Sequence, residues 1–249
     1  MTLVRALPDP VLDAVERVTS VAGVVAVVLG GSRASGTATA DSDWDLGVYY
    51  RSSLDLAALR KQVGQVYPPG SWGRVMNGGA WLDTGGTRID LLLRDLDVVA
   101  YWTNRAGRGE FEVDGLLGYL AGIPTYTLTA EIACAQVVRG DLTLVGDFPD
   151  VLAQTAPVRW RFHRDFSLTH AHRAAKLGND VVALGQLARA SVEEAHARHC
   201  ERSSWVLNEK RILADVGLRL EFPGLGGGGL DVAAVVEAGA DQLRRPPGS

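Results

Sequence analysis

The chain has 249 residues, 47% of them hydrophobic and 22% charged, with a formal net charge of −4. That balance excludes a disordered adaptor, leaves room for one large or two modest domains with real cores, and argues against a general nucleic-acid binder, which carries a basic excess or patch. Cys134 and Cys200 are too few for a disulfide framework, and no apolar run nears the roughly 18 residues of a membrane span, so a cytoplasmic setting with reduced thiols is expected.

Residues 8–20, PDPVLDAVERVTS, open with Pro and Asp and then place Val11, Leu12, Val15 and Val18 at helical spacing. VVAVVLG at 24–30 is apolar throughout and mostly β-branched, the pattern of a central strand covered on both faces. DWDLGVYY at 43–50 predicts a second strand, and SLDLAALRKQVGQV at 53–66 an amphipathic helix ending before Pro68 and Pro69. Residues 78–95, GGAWLDTGGTRIDLLLRD, predict a hairpin that turns at Gly85-Gly86 and returns along Arg88 to Leu93. The N-terminal portion is therefore α/β with a mixed sheet, closing near residues 95–110.

From about residue 114 the pattern turns largely helical. AEIACAQVVRG predicts a helix with Gly140 at its C-cap, and FPDVLAQTAP a loop and a short helix. Long amphipathic patterns cover Trp160 to Lys176, Asp180 to Cys200 and Ser203 to Asp215, which fits a bundle of three or four helices. FPGLGGGG at 222–229 predicts a loop; no Lys-Ser/Thr follows it, so it is not a phosphate-binding P-loop. LRRPPGS at the end predicts fraying.

The chemistry concentrates in Gly30 to Tyr50, GGSRASGTATADSDWDLGVYY. Glycines let the backbone approach a ligand closely, and successive N–H groups in such a turn form an anion-binding nest. Ser32 adds a hydroxyl and Arg33 a cation. The strand period of two sends Asp43 and Asp45 to one face. Two carboxylates side by side are unfavourable unless a cation lies between them, and Mg²⁺ typically binds a few carboxylates together with substrate phosphates. A third acid, Asp90, stands between Ile89 and Leu91 on an otherwise apolar strand, where Arg88 and Arg94 are close enough in sequence to pair with it.

On Gly31-Ser32, Asp43-Trp44-Asp45-Leu46 and Ile89-Asp90-Leu91 the chain resembles the nucleotidyltransferases of the polymerase-β-like superfamily. Its later helices, including KLGNDVVALGQLARASVEEAHA and WVLNEKRIL, resemble the helical domain of stand-alone antibiotic nucleotidyltransferases. The resemblance implies an α+β (α/β) nucleotidyltransferase domain with a mixed sheet over residues 1–112, followed by an all-α helical-bundle domain over 113–245. It implies a Mg²⁺-dependent transferase in which Asp43 and Asp45 hold two ions and ATP or another nucleoside triphosphate is the co-substrate. A nucleoside monophosphate, AMP first, would pass to a hydroxyl of a small acceptor such as an aminoglycoside or lincosamide antibiotic, releasing pyrophosphate. Asp90 is then either a third metal ligand or, as favoured in relatives that modify small antibiotics, the general base. A helical-domain glutamate, Glu193 or Glu194, is the alternative base.

By the same resemblance Gly31 and Ser32 would hold the β- and γ-phosphates, and Arg33, Lys176 and Lys210 would reach the triphosphate. The expected partners are a nucleoside triphosphate and a small hydroxyl-bearing acceptor, with no membrane and no nucleic acid, in a monomer or homodimer. Two other functions stay open: a nucleotidyltransferase toxin or regulator acting on a protein or tRNA, and a catalytically silent binding module of the same fold. His196 and His199 are three apart and could share a helix face, but no third metal ligand accompanies them. Glu110, Glu112 and Asp114 alternate with Phe111 and Val113, which makes either a solvated edge or an acidic strip for a cationic acceptor.

Overall fold

The computed structural model describes residues 7–143, 147–221 and 231–246. The loop expected at 222–229 and the last three residues of the expected frayed end, 247–249, lie outside the described residues. The chain divides into two compact units. Unit 1 comprises Met1–Ala106, Phe111–Leu116 and Pro124–Asp147; unit 2 comprises Gly107–Glu110, Leu117–Ile123 and Phe148–Ser249.

In chain order the first elements are α1 (Asp9–Thr19), β1 (Val24–Leu29), α2 (Gly31–Ala34), β2 (Trp44–Tyr50) and α3 (Leu56–Val63). They are followed by α4 (Gly73–Met76), β3 (Gly78–Thr84), β4 (Thr87–Asp95) and α5 (Leu96–Gly107). Next come β5 (Val113–Asp114) and β6 (Ile123–Pro124), two residues each and outside the main sheet, then α6 (Thr127–Cys134) and β7 (Gln136–Gly140). The main sheet has the order β3-β4-β2-β1-β7. It is mixed: β2 and β4 are parallel, and the other neighbours run antiparallel.

One face of this sheet is core. Val11, Ala14, Val15 and Val18 form the buried stripe of α1, and Asp55 caps α3 by accepting from the Ala58 N–H at 2.9 Å. These helices supply the apolar cover for Leu46, Val48, Tyr50, Ile89, Leu91 and Leu93. Each such side chain contributes roughly 1.5–3 kcal/mol by leaving water. Strand alternation then commits Asp45, Asp90 and Arg94 to the opposite face.

Residues 130–140 do not form the single helix expected of them. α6 stops at Cys134, Ala135 is extended, and Gln136–Gly140 becomes β7, with Leu29 opposite Gln136 and Val28 opposite Val137. The physical reason is tertiary: β1 would otherwise be an open edge, and the β-branched pair Val137-Val138 suits the pleated surface that completes it. Because this strand returns to β1, unit 1 extends well beyond residue 112, to Asp147.

α6 also anchors the far end of β4. Arg94 is 1% exposed, and it donates Nε to Glu131 Oε2 at 2.5 Å, Nη2 to Glu131 Oε1 at 2.6 Å and Nη1 to the Met76 carbonyl at 2.8 Å. Burial alone would lower the pKa of this guanidinium, but Glu131 outweighs it and the net shift is upward.

In unit 2, α7 (Asp150–Lys176) and α8 (Asp180–Glu201) pack along each other, and α10 (Val232–Arg244) packs on both, giving a three-helix core. α7 absorbs the expected loop and short helix at 148–157, whereas the Ser203–Asp215 stretch holds only the one-turn α9 (Ile212–Asp215). Among the described residues no helix is long and apolar enough to cross a membrane. His196 is structural. Its ring stacks on Trp160 at 4.3 Å and 8°, and burial lowers its pKa to about 3.

Two predictions follow from these buried groups. Glu131→Ala leaves Arg94 buried without its partner and is expected to cost about 3 kcal/mol or more in chemical denaturation. Glu112→Ala, which breaks the exposed Arg74–Glu112 pair, is expected to cost about 1 kcal/mol or less. Second, folded His196 stays neutral to about pH 3, whereas the unfolded chain protonates it near its ordinary value of 6.5. The unfolded state therefore binds more protons through that window, and stability declines as pH falls from 6.5 toward 3. His196→Leu is expected to flatten this slope in denaturation curves recorded across it.

Candidate active site

The candidate site is one row of residues across the non-core face of unit 1. Asp45 on β2 and Asp90 on β4 are register partners in parallel strands, so their side chains rise next to each other. Trp81 on β3 is the antiparallel partner of Asp90 and continues the row outward. Inward, the Gly30 N–H donates to the Asp45 carbonyl at 2.8 Å, which brings the Gly30-Gly31 turn alongside β2.

Gly31 explains why the turn needs glycine. Its φ is +58°, and a Cβ there would lie 1.8 Å from Asp45 Oδ2 and 2.6 Å from Asp45 Cγ. The Asp45 carboxylate rests against bare backbone, a position no side chain at residue 31 could share. Beyond it α2 begins, with the half-buried Ser32 in its first turn.

Asp43 lies one residue before β2 and is held differently. Arg88 Nε is 2.7 Å from Asp43 Oδ1, with the side chains 59% and 39% exposed, and Arg88 Nη2 donates to the Asp41 carbonyl at 2.7 Å. Oδ1 is itself shielded from solvent and accepts no hydrogen bond, so the contact with Arg88 is an ion pair without hydrogen-bond alignment. The other two cations expected near the acids are engaged elsewhere. Arg94 serves Glu131, and Arg33 donates to the backbone carbonyls of Ser42 and Asp43 while its guanidinium stacks on Trp44 at 4.1 Å. Arg33 therefore shapes the loop that delivers Asp43 to the face.

A divalent cation fits this donor set. Neighbouring carboxylates at Asp45 and Asp90 repel unless a cation lies between them, and Asp43 Oδ1 is a shielded acceptor with spare capacity. All are hard oxygen donors of the kind Mg²⁺ takes beside substrate phosphates. The ligand set is incomplete as it stands: among the described residues no three His, Cys, Asp or Glu side chains are gathered as a finished metal site. Asp43 is drawn to Arg88.

The remaining candidates divide between the two units. Lys176, in the last turn of α7, and Lys210 both belong to unit 2 and are exposed. Glu194 is buried in the helical core, 2.7 Å from Arg164 and 2.9 Å from Arg198, and the buried Glu193 lies 2.9 Å from Arg189. Burial raises the pKa of Glu193. Glu112 and Asp114 form ion pairs with Arg74 at 2.7 Å and 3.8 Å, so the acidic strip is paired at both residues. His199 is engaged with Ser204 and the Ile212 carbonyl.

Residues 11–70 match the family described as nucleotidyltransferase domain. The chain carries a nucleotidyltransferase domain. The matched segment runs from α1 past α3 and includes Gly31, Ser32, Asp43 and Asp45; Asp90 lies outside it and joins the site through the β2–β4 register. A nucleotidyltransferase-like protein from Exiguobacterium sibiricum is similar at 11% identity and a TM-score of 0.41, over 92% of this chain and 69% of that one. Spectinomycin adenyltransferase AAD(9) from Enterococcus faecialis, solved with ATP and spectinomycin, is similar at 12% identity and a TM-score of 0.33, over 94% of this chain and 97% of that one. No curated protein matches the sequence.

Two participants in the nucleotidyltransferase domain's face escape the sequence reading. One is the contact of Arg88 with Asp43 and with the Asp41 carbonyl, which the fold brings to β4 from more than 40 residues earlier in the chain. The other is an aromatic group, Tyr67, Trp72 and Trp81, beside Asp90; the alternation in Ala80-Trp81-Leu82-Asp83 was its only signal. Gly31→Ala is expected to displace the Asp45 carboxylate and abolish turnover while far-UV circular dichroism stays native. Normal turnover in that variant would show that the close approach is dispensable.

Proposed function

We propose that the chain is a Mg²⁺-dependent nucleotidyltransferase that moves a nucleoside monophosphate, AMP from ATP in the first instance, onto a hydroxyl of a small acceptor. The observation that carries this reading is the Asp45–Asp90 register pair placed against the Gly31 turn. Asp43 and Asp45 would hold the metal, which when bound offsets the charge of the triphosphate and the charge that develops at the α-phosphoryl group.

The chain's own groups divide the remaining work. The backbone around Gly31 and the Ser32 hydroxyl hold the β- and γ-phosphates. The Asp90 carboxylate takes the proton from the acceptor hydroxyl as its oxygen forms the new bond to the α-phosphorus. The bond from that phosphorus to the bridging oxygen breaks, its electron pair leaves with pyrophosphate, and the monophosphate stays on the acceptor. Glu193 and Glu194 are not assigned as bases, because arginines in the helical core already engage both. The acceptor class proposed is the aminoglycoside or lincosamide kind. The same reading places the chain in a reducing cytoplasm, in keeping with Cys134 and Cys200, which form no disulfide.

The test is Mg²⁺-dependent pyrophosphate release from ATP, with and without a panel of aminoglycosides and lincosamides. Asp45→Asn is expected to abolish release with the fold intact, and wild-type activity in it would sink the metal assignment. Asp90→Asn is expected to keep nucleotide affinity while turnover falls about a hundredfold or more, the scale of a lost general base. Weakened Mg²⁺ binding in Asp90→Asn would reassign that residue as a ligand.

A further inference from the structure

The row of catalytic acids ends on an aromatic surface that the mechanism leaves unused. Trp81 is 60% exposed on β3, the edge strand of the sheet. Trp72 stacks on it at 4.8 Å and 27°, and Tyr67 meets it edge-on at 5.0 Å. Tyr67 and Trp72 also touch each other at 5.4 Å, so the three rings brace one another. A Cβ on Gly79 would come 2.6 Å from the Trp72 ring, which shows how closely Trp72 is laid onto the sheet. Trp81 thus presents an open ring face that Trp72 and Tyr67, themselves half-buried, hold in place.

Position along the row assigns the ligand. Gly30, just past the end of β1, is followed across the sheet by Asp45 on β2, Asp90 on β4 and Trp81 on β3, a span of roughly 14 Å at the usual strand spacing. In phosphoryl transfer the attacking and leaving oxygens stand roughly in line at phosphorus. With the β- and γ-phosphates at the Gly31 end, the leaving group departs toward that end. The attacking hydroxyl then enters from the opposite end, past Asp90, where Trp81 lies. Charge indicates the chemistry of its carrier. Trp81 is flanked by Asp90 across the strand and by Asp83 two residues along it on the same face. The cation in register with Asp83, Arg88, is committed to Asp43.

We propose that Trp81, braced by Trp72 and Tyr67, is the stacking platform for the acceptor, and that it takes the face of a hydroxylated ring bearing a protonated amine. The aromatic face holds the ring by C–H and cation–π contact, Asp83 favours the amine, and a ring hydroxyl is directed at Asp90. This rests on the transfer reading above. Trp81 acts as a positioning residue.

The experiment measures KM for acceptor and for ATP separately in Trp81→Ala and Trp81→Phe across the aminoglycoside and lincosamide panel. The acceptor KM is expected to rise about tenfold in Trp81→Ala, the scale of one lost cation–π contact, and to recover in Trp81→Phe, with the KM for ATP unchanged. An unchanged acceptor KM, or a raised KM for ATP, overturns the platform while leaving nucleotidyl transfer intact. If no panel member supports turnover, tryptophan fluorescence titrations with kanamycin and with adenosine decide the platform independently. Quenching by kanamycin that Trp81→Ala abolishes supports it. Quenching by adenosine alone, or by neither, overturns it.

Discussion

The parallel register of β2 and β4 is the constraint on which the site depends. Leu46 opposite Leu91 and Val48 opposite Leu93 are buried on the core face, and Asp45 opposite Asp90 follows on the other. Side chains alternate strictly along a strand, so a slip of one residue would drive Asp90 into the apolar core and expose Ile89 and Leu91. Hydrophobic burial thus fixes the alignment of the two acids.

Other contacts convert that alignment into a shaped site. Gly31 gives the Asp45 carboxylate a wall of backbone, and Arg33 ties the carbonyls of Ser42 and Asp43 to the turn while stacking on Trp44. At the other end of β4, the buried Arg94–Glu131 pair joins the strand to α6. Replacing water around a guanidinium is costly, and the bidentate carboxylate with two carbonyls is what offsets it. Asp43 is the adjustable member. Its Arg88 partner is more than half exposed and ion-paired without hydrogen-bond alignment, so a divalent cation can compete for the same oxygen.

What the sequence made legible was local. The Gly31-Ser32 turn, the alternation at Asp43 and Asp45, the hairpin at Gly85-Gly86 and the apolar setting of Asp90 all follow from neighbours within a few residues. What it hid was set by distant partners. Gln136–Gly140 carries a helix-compatible sequence yet becomes a strand because β1 has an edge to fill. Arg94 looked like a partner for Asp90, and only the fold brings Glu131, 37 residues away, to claim it. His196 and Glu194 looked available for chemistry because burial is not written in spacing; inside the helical core one is stacked on Trp160 and the other is held among arginines.

The two ends of the row are also built by different means. At the Gly31 end the ligand-facing atoms are backbone and a strand-anchored carboxylate, so their positions are fixed by main-chain pairing and steric contact. At the Trp81 end they are side chains on an edge strand, where one ring can change without disturbing the hydrogen-bonded ladder or the core beneath. On the proposed transfer reading, a site assembled this way would hold the triphosphate rigidly and leave the choice of acceptor to surface side chains. On that reading, the asymmetry accounts for why residues 30 to 46 and Asp90 point to a reaction type, while an acceptor platform is proposed only once Tyr67, Trp72 and Trp81 are seen together.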